Sequence, residues 1–399
     1  MLPRSSHRLN RLNRRTALAA ALATAAASLA ARRLSAQDDP GDALNVSTTG
    51  WQTDFSKHSV PLSEFRSGGP PRDGIPPIDA PTYVSQADAD AWLAPEEPVI
   101  AVALEQPDGS VAARAYPLQI LLWHEIVNDT LGETPVAVTF CPLCYTAIAY
   151  DRRLDPDGTV YDFGATGNLR HSDLVMWDRQ TESWWQQFSG EAIVGELTGS
   201  RLTFLSAQIV SWESFKQTYP DGDVFSRETG FSRPYGSNPY PGYDDVDSKP
   251  FLFDGAADDR LPPMERVVGV VLGDQGVAYP FPALQETRVI DDTVDETDHV
   301  VLWAPGVNSA VDTQEVVEGR DIGQAGVFRR DLDGRALTLA AGPGDDFTDE
   351  ETGSTWSVSG LAIDGELAGA RLSPLPHTVV FWFAWAAFQP QGHLWQPAS

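Results

Sequence analysis

Short runs of apolar residues, continuous or alternating with polar ones, recur along the chain and are cut by turn-forming clusters. Val99–Leu104, Val111–Tyr116, Pro135–Phe140, Thr146–Tyr150 and Val160–Gly164 are of this kind. Pro107-Asp108-Gly109 and Asp155-Pro156-Asp157-Gly158 stand between them as turns. Their length and β-branched or aromatic content predict strands. Helical patterning is sparse, with Leu118–Val127 and Trp212–Tyr219 the best stretches. The apolar run Val379–Phe388 stops at Pro390 and is too short for a bilayer, which needs roughly 20 apolar residues, so it reads as buried core. The prediction is a mainly β protein with few short helices.

The pattern also repeats. Ala115-Tyr116-Pro117 returns as Ala278-Tyr279-Pro280, and Ile126-Val127-Asn128-Asp129-Thr130 as Val289-Ile290-Asp291-Asp292-Thr293. Farther on, Gly195-Glu196-Leu197-Thr198-Gly199-Ser200-Arg201-Leu202 returns as Gly365-Glu366-Leu367-Ala368-Gly369-Ala370-Arg371-Leu372. Three matches in one order predict a tandem duplication, two related small β domains, barrel- or sandwich-like, over 96–230 and 264–399. Residues 231–263 are the linker. Residues 37–95 are polar and proline-rich, which suits an extended segment wrapped on the body.

Charge narrows the function classes. The 399 residues carry 28 Lys and Arg against 56 Asp and Glu. A net charge of −28 excludes a nucleic-acid binder, which needs a basic face. The acid excess suits a surface kept soluble where salt screens the charge. The first 36 residues are the exception, with Arg4, Arg8, Arg11, Arg14, Arg15, Arg32 and Arg33 and no acid. An apolar run Thr16–Ala31 and a short end Leu34-Ser35-Ala36 complete a cleavable export signal over 1–36. Asn13-Arg14-Arg15-Thr16-Ala17-Leu18 resembles a twin-arginine signal, departing from it at Ala17. The expectation is a periplasmic or extracellular protein with no transmembrane segment once the signal is removed.

Both cysteines lie in Cys141-Pro142-Leu143-Cys144. A disulfide closing so short a loop supplies only about 2 kcal/mol in the chain-entropy model, so a structural staple is a weak explanation. Three readings compete. As a redox dithiol, Cys141 attacks and Cys144 resolves, but the strand-like Tyr145–Tyr150 replaces the helix that a thioredoxin-type fold requires after the motif. As a metal knuckle, the pair lacks a second CxxC, so the remaining ligands fall to His124, His171, an acid such as Asp173, or Met176. Thiolate with imidazole or thioether suits copper(I) or zinc. The third reading is an inert thiol pair or local disulfide. A c-type haem is disfavoured because Tyr145, not histidine, follows Cys144.

His124 precedes the cysteine strand and aligns with Thr287 in the second copy, which also lacks both cysteines. A site therefore belongs to the first copy, with the second as scaffold. Trp177, Trp184 and Trp185 read as core more than as a stacking surface, and Asp244-Asp245-Val246-Asp247 as a solvated acidic turn.

Several long motifs together carry a family resemblance. Arg114–Pro117, Trp123–Asp129, Pro135–Cys144, Leu174–Gln187 and Phe381–Phe388 resemble the bacterial and archaeal family called domain of unknown function 3179. The resemblance covers nearly all of the chain after the export signal and implies a pattern containing His124, Glu125, Cys141 and Cys144. Tyr145 stands where a small or polar residue is expected, and should narrow access to the thiols. The leading expectation is an exported protein with a metal or thiol redox site, serving a redox or metal-delivery partner. The alternative is a non-catalytic secreted scaffold that binds a polymer or protein through aromatic loops.

Overall fold

The computed structural model describes residues 44–155 and 158–397. The export signal predicted over 1–36 lies outside them.

The protein is mainly β, with five short α-helices among the described residues. The predicted strands form with small shifts, as Pro98–Glu105, Val111–Pro117, Thr134–Cys141 and Thr146–Asp151. The run expected to start at Val160 begins its strand at Phe163. The helix expected over 118–127 is Leu118–His124. It stops because Glu125 turns left-handed (φ 58°) and its N–H bonds the Leu121 carbonyl. Ile126 and Val127, β-branched and fully buried, then enter the strand Ile126–Leu131. Val379–Phe388 is divided between the strand His377–Phe381 and the helix Trp382–Phe388, and lies in the core as expected.

Among the described residues the sheets stay open and none closes into a barrel. One runs Ala207–Ser211, Pro98–Glu105, Val111–Pro117, Asp223–Phe225, Tyr83–Val84. Its counterpart runs His377–Phe381, Arg266–Leu272, Gln275–Pro280, His393–Leu394. In both, an antiparallel hairpin takes a short parallel strand on its outer side. In each, one edge is a strand of only two residues, Tyr83–Val84 or His393–Leu394, which leaves too little backbone to continue the ladder on that side.

A second motif occurs twice with the same hydrogen bonds. Asp178 accepts from Thr181 N–H and from the Trp185 indole, and Ser183 Oγ accepts from Leu197 N–H. Asp349 accepts from Thr352 N–H and the Trp356 indole, and Ser354 Oγ from Leu367 N–H. Trp184, Trp185 and Trp177 are all buried, with Trp184 packed edge-on against Trp51, Phe55 and Phe65. They are core residues, as the sequence reading favoured, and offer no surface for stacking a polymer.

The stretch 231–263 holds one departure. Asp244, expected in a solvated turn, is buried and paired with Arg266 and Arg320, and accepts from Ser309 Oγ. Burial works against its charge, but these partners outweigh it and hold the carboxyl below its ordinary range. The arginines come from beyond residue 263, so only the folded chain supplies them.

Candidate metal centre

The strands Thr134–Cys141 and Thr146–Asp151 pair down to Cys141 opposite Thr146, leaving four residues for the turn. Pro142 opens it, and Tyr145 closes it with a left-handed backbone (φ 60°). Cys141 and Cys144 thus lie at the two ends of one tight turn, both free thiols and both buried. A second hairpin meets them. Phe163–Arg170 and Asp173–Asp178 are joined by His171 and Ser172, both left-handed (φ 52° and 66°), in the manner of a two-residue hairpin turn. It delivers Asp173. Ligand atoms of Cys141, Cys144 and Asp173 all lie within 4.8 Å of one another. This buried Cys-Cys-Asp group can hold a metal ion.

Asp173 is held from behind. Its Oδ2 accepts from Gln186 Nε2 at 2.6 Å and from Phe188 N–H at 2.9 Å, while Oδ1 makes no hydrogen bond of ordinary geometry. The Cys141 thiol lies 3.9 Å from the Ser172 carbonyl. Burial pushes Asp173 up to about 6, against the hydrogen bonds from Gln186, Phe188 and the neighbouring thiols. Burial likewise raises Cys141, with Asp173 and Glu125 adding to it, and lifts Cys144 well above the ordinary thiol range. Glu125 is pushed up to about 8 by burial and by Asp173. Among the described residues, no arginine, lysine or histidine forms an ion pair with Asp173 or Glu125. Four acidic groups are thus buried together without a positive partner, an arrangement that is costly unless protons or a cation neutralise it.

The other predicted ligands lie elsewhere. His124 has both ring nitrogens engaged, Nδ1 with the Pro76 carbonyl at 2.8 Å and Nε2 with the Tyr235 hydroxyl at 2.6 Å. Burial depresses its proton affinity, and it is not in the three-residue group. His171 neighbours Asp173 in the chain but packs on Phe253 and Phe388, with Nε2 3.3 Å from Glu64. It is not in the three-residue group. Met176 is fully buried, paired with Ala165 and Trp185, and strand alternation places it on the face opposite to Asp173.

Tyr145 does not screen the thiols by standing at a mouth. It is buried between Phe140 and Phe381, under the Arg266 guanidinium, and its hydroxyl accepts from Ala310 N–H at 3.3 Å. Phe381 N–H donates to the Cys144 carbonyl at 2.9 Å. Phe381 and Ala310 from the later part of the chain therefore cover the turn, and none of the described residues beyond 263 belongs to the three-residue group. Asp173 was in reach of sequence reading only as one acid among several candidates, and Glu125 only through the family resemblance.

A family model described as "Protein of unknown function (DUF3179)" matches residues 72–392. No curated protein and no solved structure matches the chain.

Proposed function

The chain belongs to this family of unknown function, DUF3179, and on that footing we propose that it is an exported metalloprotein whose ion is held by Cys141 Sγ, Cys144 Sγ and the Asp173 carboxylate. The burial of these acids together, without a cationic partner, is the observation that carries the reading. Zinc fits the donor set better than copper(I), because a hard carboxylate stands beside two thiolates. Three protein ligands leave one position on a tetrahedral ion for a water or a substrate atom. Gln186 and the Phe188 amide orient Asp173 from behind. Cys141 and Cys144 release their protons to bind, so affinity rises with pH.

Dithiol exchange is the weaker reading. An attacking cysteine needs a lowered pKa and access to solvent, and both thiols here are buried and raised. The same burial suits a resident ion more than one passed to a delivery partner. Export to the periplasm or beyond is supported by the arginine-led, alanine-rich first 36 residues. A duplication of 96–230 as 264–399 is supported by the paired hairpins and by the twice-built Asp-Thr-Ser-Trp network.

Elemental mass spectrometry on the mature protein tests the centre. Near-stoichiometric zinc, lost in Cys141→Ser and in Asp173→Asn with the circular dichroism unchanged, is expected. No metal together with two fast-reacting native thiols would overturn the reading in favour of redox exchange.

A further inference from the structure

A cavity of about 260 Å³ lies beside the Cys-Cys-Asp group. Leu143 of the cysteine turn forms one wall, and Leu169 and Leu174 of the Asp173 hairpin form another. Tyr240 and Tyr243, from 231–263, and Ile75, from the segment that crosses in front, complete it. That crossing is tight: a Cβ on Gly167 would lie 2.1 Å from the Pro70 carbonyl, and Gly167 has φ 78°, so only glycine fits there. Segments far apart in the chain are thus built around one apolar space.

Glu125 is the one charged residue in its lining. The residue is only 7% exposed, and its carboxyl makes no hydrogen bond to any described residue. Its left-handed backbone is a helix terminator shared with Arg288 (φ 63°), which ends Phe281–Thr287 in the same way. The side chains diverge. The Arg288 guanidinium donates to the Gly344 and Asp346 carbonyls, whereas Glu125 lines the cavity. A desolvated carboxyl in an apolar chamber is stabilised by a donor brought by a ligand, and a positive donor is favoured most.

We propose that this cavity binds a small, mainly apolar primary amine, its ring or chain against Leu143, Leu169 and Tyr240 and its ammonium donating to Glu125. The volume suits such a molecule, since a cavity of about 150 Å³ takes up benzene. The site goes beyond the metal centre and does not require an ion, because every group that holds the amine belongs to the cavity wall.

Calorimetric titration of the full mature chain with benzylamine, hexylamine, benzyl alcohol and toluene tests it. Benzylamine or hexylamine should bind more tightly than benzyl alcohol or toluene. Glu125→Gln should weaken the amines at least tenfold while leaving toluene within twofold. Ile75→Trp, which fills the chamber from a loop, should remove all four. Metal content is measured on the same samples. Amine binding that survives in metal-free Cys141→Ser supports the proposal whatever becomes of the metal centre. Failure of both amines to bind, or amine binding indifferent to Glu125→Gln, overturns it even if zinc is present. Tighter binding of the alcohol than the amine overturns the ammonium assignment.

Discussion

Replacing Asp173 with asparagine separates the cost of the site from its use. Asparagine keeps an oxygen for Gln186 and Phe188, whose bonds to Asp173 are 2.6 and 2.9 Å. It removes the charge that the fold tolerates poorly. A carboxyl that holds its proton to about 6 in the folded chain, against 3.8 ordinarily, costs about 3 kcal/mol to ionise there. A raised folded-state value sets the sign. The stability it brings is full below 3.8, is lost as pH rises to about 6, and stays lost above. In chelator, the stability of Asp173→Asn relative to wild type should therefore improve by up to about 3 kcal/mol between pH 3.5 and pH 8. Zinc reverses the order. At a thousand times its dissociation constant a ligand stabilises by about 4 kcal/mol, a gain open to the wild type and closed to the variant. Urea unfolding followed by tryptophan fluorescence, in chelator and in zinc at both pH values, reads all of this. If the variant gains nothing with pH in chelator, or zinc stabilises both proteins alike, the assignment of Asp173 as a desolvated ligand is wrong.

Further outcomes follow from the same geometry. In metal-free native protein at pH 7, Cys141 and Cys144 should react with Ellman's reagent far more slowly than in urea, because both thiols are buried and raised. His124→Phe should cost about 1–3 kcal/mol by stranding the Pro76 carbonyl and leaving the Tyr235 hydroxyl with Thr229 alone, and leave metal content unchanged. The depressed His124 also makes wild-type stability fall as pH drops below its ordinary 6.5, a component that a chelator titration of His124→Phe should lack. Asp244→Asn should cost about 3–5 kcal/mol in denaturant unfolding, since it breaks the buried pair with Arg266 and leaves that guanidinium uncompensated. Trp184→Ala should cost about 3–5 kcal/mol by opening a cavity among Trp51, Phe55 and Phe65, with no effect on metal content.

The strands are legible in the sequence and their limits less so. Val111–Pro117 and Thr146–Asp151 alternate or run apolar over the lengths that strands take. The helix at Leu118 was legible but its end was not, because Glu125 turns left-handed in a residue type that seldom marks a helix stop. The Asp173 hairpin was hidden for a similar reason: its turn uses His171 and Ser172 in place of the Asn-Gly pairs that announce such turns. Asp244 looked solvated because its neighbours in the chain are acidic, while its real partners Arg266 and Arg320 arrive from later strands and loops.

What the sequence alone determined is the chemistry that covalent spacing guarantees. Two thiols separated by two residues are neighbours in any fold, apolar runs of strand length make a β protein, and a net charge of −28 makes the chain strongly acidic. The tertiary structure decided which of His124, His171, Asp173 and Met176 would stand beside those thiols. That choice rests on the register of Thr134–Cys141 against Thr146–Asp151, on the turn at His171, and on the cover that Phe381 gives the cysteine turn. Contacts of this kind join residues distant in the chain, and each depends on many weak packing and pairing energies that no single stretch of sequence contains.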